Sequence, residues 1–313
     1  VPRQHLLSST WPALTSNHGL AICGYLSRIS AFEGERLPMR FYATDPWWCN
    51  SPWRDMWERR PHDIYLNSAI CRVDENGKTH AFNDFKILAL DNAWGQVEEQ
   101  IPDEVIPHVK RALQFRPDSV PPVVWLYPFN EYHQWTFADG RQAEVLAGDL
   151  LVQNAFNHAL PMSAVTTVKS FLKSRATHPA LYRGSVLVTP VPVRNSTWET
   201  ALLEHLSAGG AILCYGSTEH AGSRWLEALG IRHASALEGK LHLRIPHDPD
   251  DYLEAPPAAA CQHLSVLSGG PVREEAHAPS PHLQILATVS DGQNERLAAT
   301  VAARPEWKGG QLA

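Results

Sequence analysis

The chain has 313 residues, with 27 Lys+Arg against 33 Asp+Glu and a formal net charge of −6. At about 150 residues per domain this length fits two domains, and a mildly acidic chain without a Lys/Arg cluster lacks the cationic footprint that nucleic acid requires. No apolar run approaches the ~20 residues of a membrane span, and 44% apolar with 19% charged residues is the composition of a soluble globular protein.

In chain order, residues 20–26, 40–44, 63–73 and 85–90 are predicted strands, and Asn76-Gly77 is a predicted type I′ hairpin turn. Residues 102–114 are a predicted helix with Pro102 and Asp103 near its start and Pro107 as a predicted kink. From about 120 to 235 strand-like and helix-like stretches alternate. Val123–Tyr127, Met162–Val168, Ser185–Thr189 and Ala211–Tyr215 are the strands. Residues 141–159, 169–181, 197–207 and 223–229 are the helices, with Thr197 as the expected cap of the third. This alternation implies βαβ crossovers and a doubly wound parallel sheet. Strands are again predicted at 241–245, 263–267, 283–289 and 297–302. The expected division is therefore a partial (β/α)-barrel-like region over 1–120 and an α/β domain over 121–313, β-richer from about 236. The chain opens at Val1 rather than Met and ends on Gly309–Ala313, which reads like the opening of a strand, so a piece of a longer protein is expected.

Cys23, Cys49, Cys71, Cys214 and Cys261 are odd in number, widely spaced and without a C-x-x-C pair. That pattern is neither a disulfide framework nor a structural zinc site, and it favours a reducing, cytoplasmic compartment over an exported form. His242, His247, Asp248, Asp250 and Asp251 lie among prolines and read as a polar turn, so no metal and no organic cofactor is expected.

Three predicted strands run into a carboxylate with aromatic and amide neighbours. The first leads into Asp45, Trp47, Trp48, Asn50 and Trp53, the second into Asp91 and Asn92, the third into Glu131 and His133. Ligands in parallel α/β architectures bind outside the carboxyl ends of strands, and carboxylates there suit the acid and the nucleophile or base of glycoside hydrolysis. Asp91 and Glu131 are the first candidates and Asp45 the third. The competing role for each is an Asx-turn or a helix cap. Four of the eleven tryptophans, at 47, 48, 53 and 57, fall in one Pro-interrupted stretch. Trp47, Trp48 and Trp53 suit stacking on a pyranose, with Asn50, Asn92 and His133 bonding its hydroxyls. Burial against a barrel base or a neighbouring domain is the alternative for these rings. Cys214, with His220 nearby, would be a nucleophile only on a sharp elbow, and Ile212 stands where that turn needs a small residue.

Residues 183–216 run as a strand ending in Pro190, a helix, Gly209-Gly210 and a strand ending before Gly216. This pattern resembles the class I glutamine-amidotransferase-like domain attached to several glycoside hydrolases, above all the trimerisation domain of family 42 β-galactosidases. Residues 283–313 resemble its closing strands, so the likeness covers about 122–313. It implies a flavodoxin-like domain without an amidotransferase nucleophile, following the last part of a barrel, and a homo-oligomer formed through that domain. Asn130-Glu131 is similar to the Asn-Glu pair carrying the acid/base of many retaining glycosidases. The expected function is glycoside hydrolysis on a carbohydrate substrate. The alternatives are a non-catalytic sugar-binding or oligomerisation module and a thiol hydrolase using Cys214 and His220.

Overall fold

The computed structural model describes residues 18–42, 65, 68–88, 100–158, 160–237, 239–245, 258–262, 269–273 and 282–313. The elements run α1 (His18–Ser30), β1 (Pro38–Tyr42), β2 (Cys71–Val73), β3 (Thr79–Ala81), β4 (Asp84–Leu88), α2 (Gln100–Gln114) and β5 (Val123–Tyr127). Next come α3 (Phe129–Phe137), α4 (Gln142–Asn157), β6 (Ala164–Thr167), α5 (Val168–Thr177), β7 (Val186–Pro190), α6 (Thr197–Ser207), β8 (Ala211–Tyr215) and α7 (Ser223–Leu229). Then follow β9 (Ile231–Ala236), β10 (Lys240–Arg244), β11 (Ala258–Gln262), β12 (Gly269–Arg273), β13 (Leu283–Ser290), β14 (Glu295–Ala303) and β15 (Gln311–Leu312). The fold is mixed α/β with parallel strand pairs, and it divides into two compact units.

The first unit comprises residues 1–129 and 149–181. Its sheet places β5, β6, β2 and β3 side by side, the first three parallel and β3 antiparallel. Val124, Trp125, Leu126, Ala164 and Val165 are sealed from solvent, as strands covered on both faces must be. β1 and β4 form a separate parallel pair in the region expected to be barrel-like. The predicted strand at 20–26 is instead α1. Ile22, Cys23, Leu26 and Ile29 are buried at helical spacing, and this face packs on β6 and β2. Of the strand predicted over 63–73 only Cys71–Val73 pairs, and Tyr65 and Ser68 are helical. The β2–β3 turn is not type I′ either. Only Gly77 has positive φ (80°), while Asp74 accepts the N–H groups of Asn76 and Lys78 at 2.9 Å and shapes the turn itself. Pro107 sits exposed within α2 and does not break it.

Asp149 of α4 shares this unit with Cys23 of α1 and Tyr127 at the carboxyl end of β5. Its Oδ1 is buried without a hydrogen-bond partner, and burial pushes its carboxyl up to about 6. Burial, reinforced by the Asp149 charge, also pushes the Cys23 thiol up to about 12 and raises the Tyr127 phenol. All three acidic groups are thus raised in pKa by burial, which disfavours their charged forms.

The second unit comprises residues 130–148 and 182–313. β7, β8 and β15 are parallel, and β14, β13, β10 and β11 extend the sheet antiparallel. β9 and β12 form a separate antiparallel pair. Trp198, Leu202 and Leu206 of α6 are buried with Leu187, Ile212 and Leu312 of the strands. The cap of α6 is Ser196 rather than Thr197. Its Oγ accepts from Glu199 N at 3.0 Å while Glu199 Oε2 accepts from Asn195 N at 2.8 Å, a close variant of the capping box. Arg304 donates to the carbonyls of Glu227 and Ala228 and so satisfies the end of α7. The predicted strand at 263–267 lies outside the described residues.

Two stability predictions follow. A methyl group at Gly310 would stand 2.5 Å from Leu206 O and 2.9 Å from Gly210 O, both backbone atoms. Gly310→Ala should therefore destabilise the chain by about 1–3 kcal/mol in urea unfolding, against about 0.5 kcal/mol or less for the uncrowded Gly184→Ala control. For Asp149, a folded pKa raised above the unfolded value means that stability is full below about pH 4 and is lost as pH rises towards 6. Asp149→Asn should be more stable than wild type at pH 8 by roughly 2–3 kcal/mol, an advantage absent at pH 3.5.

Candidate functional site

Of the carboxylates and sugar contacts expected from sequence, Asp45, Trp47, Trp48, Asn50, Trp53, Asp91 and Asn92 lie outside the described residues. Glu131 and His133 fall on α3, a helix that is not among the predicted elements. Glu131 is half-buried in the first turn of the helix. Desolvation raises its carboxyl above the ordinary glutamate value, and its own backbone N–H offsets only part of that. His133 is exposed, with its ring tilted against Phe137 at 4.8 Å. Two positions apart on a helix, the two side chains do not face one another.

The second unit contains a hollow that no single motif announces. Its floor is the carboxyl ends of the parallel strands β7 and β8, at Pro190-Val191 and Tyr215-Gly216-Ser217, and its walls come from α3 and α4. About 350 Å³ of space opens there to solvent. Tyr132 and Trp135 are buried in the α3 wall. After α3 the chain reverses through Gly140 (φ 69°), and Arg141 N donates back to Trp135 O at 2.8 Å. That reversal lays the Arg141 guanidinium over the Trp135 ring, 3.9 Å from its centroid.

Glu144, in the first turn of α4, takes the same guanidinium in a fork. Arg141 Nε and Nη2 donate to its two carboxylate oxygens, each at 2.8 Å, and the side chains are 13% and 14% exposed. His220 Nε2 lies 3.5 Å from the same carboxylate. The pair is geometrically complete and leaves the hollow with no uncompensated arginine charge.

Gly148 decides how closely the walls approach. A Cβ there would stand 2.7 Å from Tyr132 Oη and 3.1 Å from a Tyr215 ring carbon, so its absence admits both phenols, whose oxygens are 3.5 Å apart. Glycine in a helix interior costs about 1 kcal/mol relative to alanine, and the aromatic contact gives it a reason to be there. On the floor, Gly216 takes φ 94° at the sharp turn out of β8, with open space where a side chain would project. Cys214, two residues earlier, has its thiol pKa raised by burial, the opposite of what an attacking thiolate needs.

Among the described residues no group of three His, Cys, Asp or Glu side chains could hold a metal ion, and no described helix is long and apolar enough to cross a membrane.

No protein-family model matches the sequence, nor does any curated protein sequence. Solved structures share the fold. A cold-adapted β-galactosidase from Rahnella sp. R3 is similar, with a TM-score of 0.52 and 13% identity over 95% of this chain and 45% of the other. A catalytic mutant of Gan42B, a GH42 β-galactosidase from G. stearothermophilus, gives a TM-score of 0.50 and 9% identity over 91% of this chain and 47% of the other. This chain thus spans less than half the length of either. At such identities the likeness is one of fold, and the fold is GH42 β-galactosidase-like.

Proposed function

We propose that this chain belongs to a carbohydrate-active protein that hydrolyses a glycosidic bond with a pair of carboxylates, Glu131 serving as the acid. One observation carries the reading: a desolvated glutamate stands four residues past the end of β5 in a GH42-like fold. A carboxyl that holds its proton to higher pH is suited to protonating a leaving-group oxygen. Asp91 is the partner carboxylate of first choice and Asp45 the second. The separation between acid and partner would set the outcome, with ~5–5.5 Å for retention and ~6.5–9.5 Å for inversion. Trp47, Trp48 and Trp53 would pack on the C–H face of the sugar, and Asn50, Asn92 and His133 would bond its hydroxyls.

The test is hydrolysis of nitrophenyl glycosides, β-galactosides first. Glu131→Gln and Asp91→Asn should each lower kcat by about 10²-fold or more, with a smaller change in KM. Near wild-type turnover in both amides, or no turnover by the unaltered chain on any aryl glycoside, overturns the assignment.

A further inference from the structure

We propose that the exposed face of β10, carrying Lys240, His242 and Arg244, is a docking surface for an acidic polysaccharide, a chain of uronic acid sugars held by its carboxylates. The choice of a glycan among polyanions rests on the carbohydrate reading above, whereas the preference for negative charge rests on the strand itself.

Strand parity makes the row. Successive side chains of a strand point to opposite faces, so Leu241 and Leu243 share one face of β10 and Lys240, His242 and Arg244 share the other. Leu241 packs with Leu237 and Val289 in a buried cluster, which fixes that orientation, and all three basic residues are exposed. Residues two apart on a strand are roughly 6.8 Å apart, so the row runs about 13–14 Å from Lys240 to Arg244. The strands on either side add no countercharge. Register sets Gln262, Ala260 and Ala258 of β11 opposite the three on one side, and Ser290 and Thr288 of β13 opposite His242 and Arg244 on the other. Among the described residues no carboxylate forms an ion pair with any of the three. Glu295 pairs with Ser290 and so stands two strands from β10, about 9.5 Å away, which is roughly a Debye length at physiological salt. The Asp291 carboxylate is occupied by N–H groups of Gln293 and Asn294.

On a chain of net charge −6, an uncompensated cationic row is a local exception, and it attracts anions that the rest of the surface repels. The row is single file, so it suits one extended chain rather than the two strands of a duplex. No aromatic residue stands in the row or opposite it, and single-stranded nucleic acid relies on such rings to stack its bases. β10 is paired along both edges, which leaves no open edge for an acidic peptide to join as a further strand. Three basic positions also fall short of the about four to eight Lys/Arg that mark an anionic lipid surface. A polyuronate meets what is left. Its carboxylates match the point charge of Lys240 and the fork of Arg244, and its hydroxyls match Ser290 and Thr288, which are part-exposed beside the row.

The experiment is calorimetric titration of the full chain with an oligogalacturonate, and with the same oligomer methyl-esterified at its carboxylates as the neutral control. The unaltered chain should bind the acidic oligomer, lose affinity as salt is raised, and bind the ester far more weakly. Lys240→Gln combined with Arg244→Gln should weaken the acidic oligomer about 10-fold. Arg194→Gln combined with Arg224→Gln removes the same charge from exposed positions elsewhere in the unit and should change the affinity by less than about 2-fold. Should the β10 pair fail to fold by circular dichroism, Ser290→Glu carries the test. It sets a carboxylate in register beside His242 and should weaken the oligomer likewise. Absence of binding, equal affinity for the ester, or equal loss in the two double variants each overturns the proposal. So does an oligonucleotide or an anionic phospholipid vesicle that binds as tightly with the same sensitivity to the β10 variant. Aryl glycoside hydrolysis separates the two readings, because the β10 variant should leave it unchanged. Hydrolysis without oligomer binding removes this proposal alone, and oligomer binding without hydrolysis removes only the catalytic assignment.

Discussion

Parallel strands cannot be joined by a tight turn, and this constraint organises both units. Each return to the same end of a sheet requires a crossover of a dozen or more residues, and covering helices make the strands between them apolar on both faces. β5 and β6 in the first unit, and β7 in the second, meet this requirement with strand centres sealed from solvent, whereas β8 buries Ile212 and leaves Leu213 exposed. The crossovers consume the chain on the faces and leave the carboxyl ends of the strands to loops and helix starts. Polar groups therefore collect there. Glu131 follows β5, and the Tyr215–Ser217 turn follows β8.

Electrostatics is resolved differently at these places. Glu131 and Asp149 lose water, and desolvation raises the pKa of each carboxyl. Glu144 meets a guanidinium in a fork, backed by an indole, and the pair is neutral as a unit. The first arrangement moves a carboxyl's titration to higher pH. The second fixes two side chains and presents a rigid polar edge, which is what recognition needs. A half-formed version of either would cost more than it gives, since a buried charge without its partner is among the most expensive features a fold can carry.

The parts legible in the sequence are those where local pattern and burial agree. Val123–Tyr127, Thr197–Ser207, Ala211–Tyr215 and Ser223–Leu229 form the predicted elements at the predicted bounds, because short apolar strands and capped amphipathic helices leave little ambiguity. Leu20–Leu26 misled because a short apolar run has no period of its own, and its helical character shows only once Ile29 joins the buried stripe. Phe129–Phe137 misled in the other direction. Phe129, Tyr132 and Trp135 stand at helical spacing there, but the segment is short, polar residues fill the gaps, and only Tyr132 and Trp135 are buried. The hollow was illegible for a different reason. Its residues come from four separated segments, and its strongest single signal, Gly148 inside a helix, reads as a defect until the phenols it admits are seen.

The strand-to-turn segment after β8 combines a sharp turn with open space at the end of a parallel strand pair. The turn lies over the ends of two parallel strands, where loops are free to vary above a rigid sheet. What it lacks is a side chain. Gly216 meets the positive φ at no steric cost, and Cys214 stays in the strand, where burial holds its thiol protonated. A turn built this way leaves open space beside Tyr215 and Ser217.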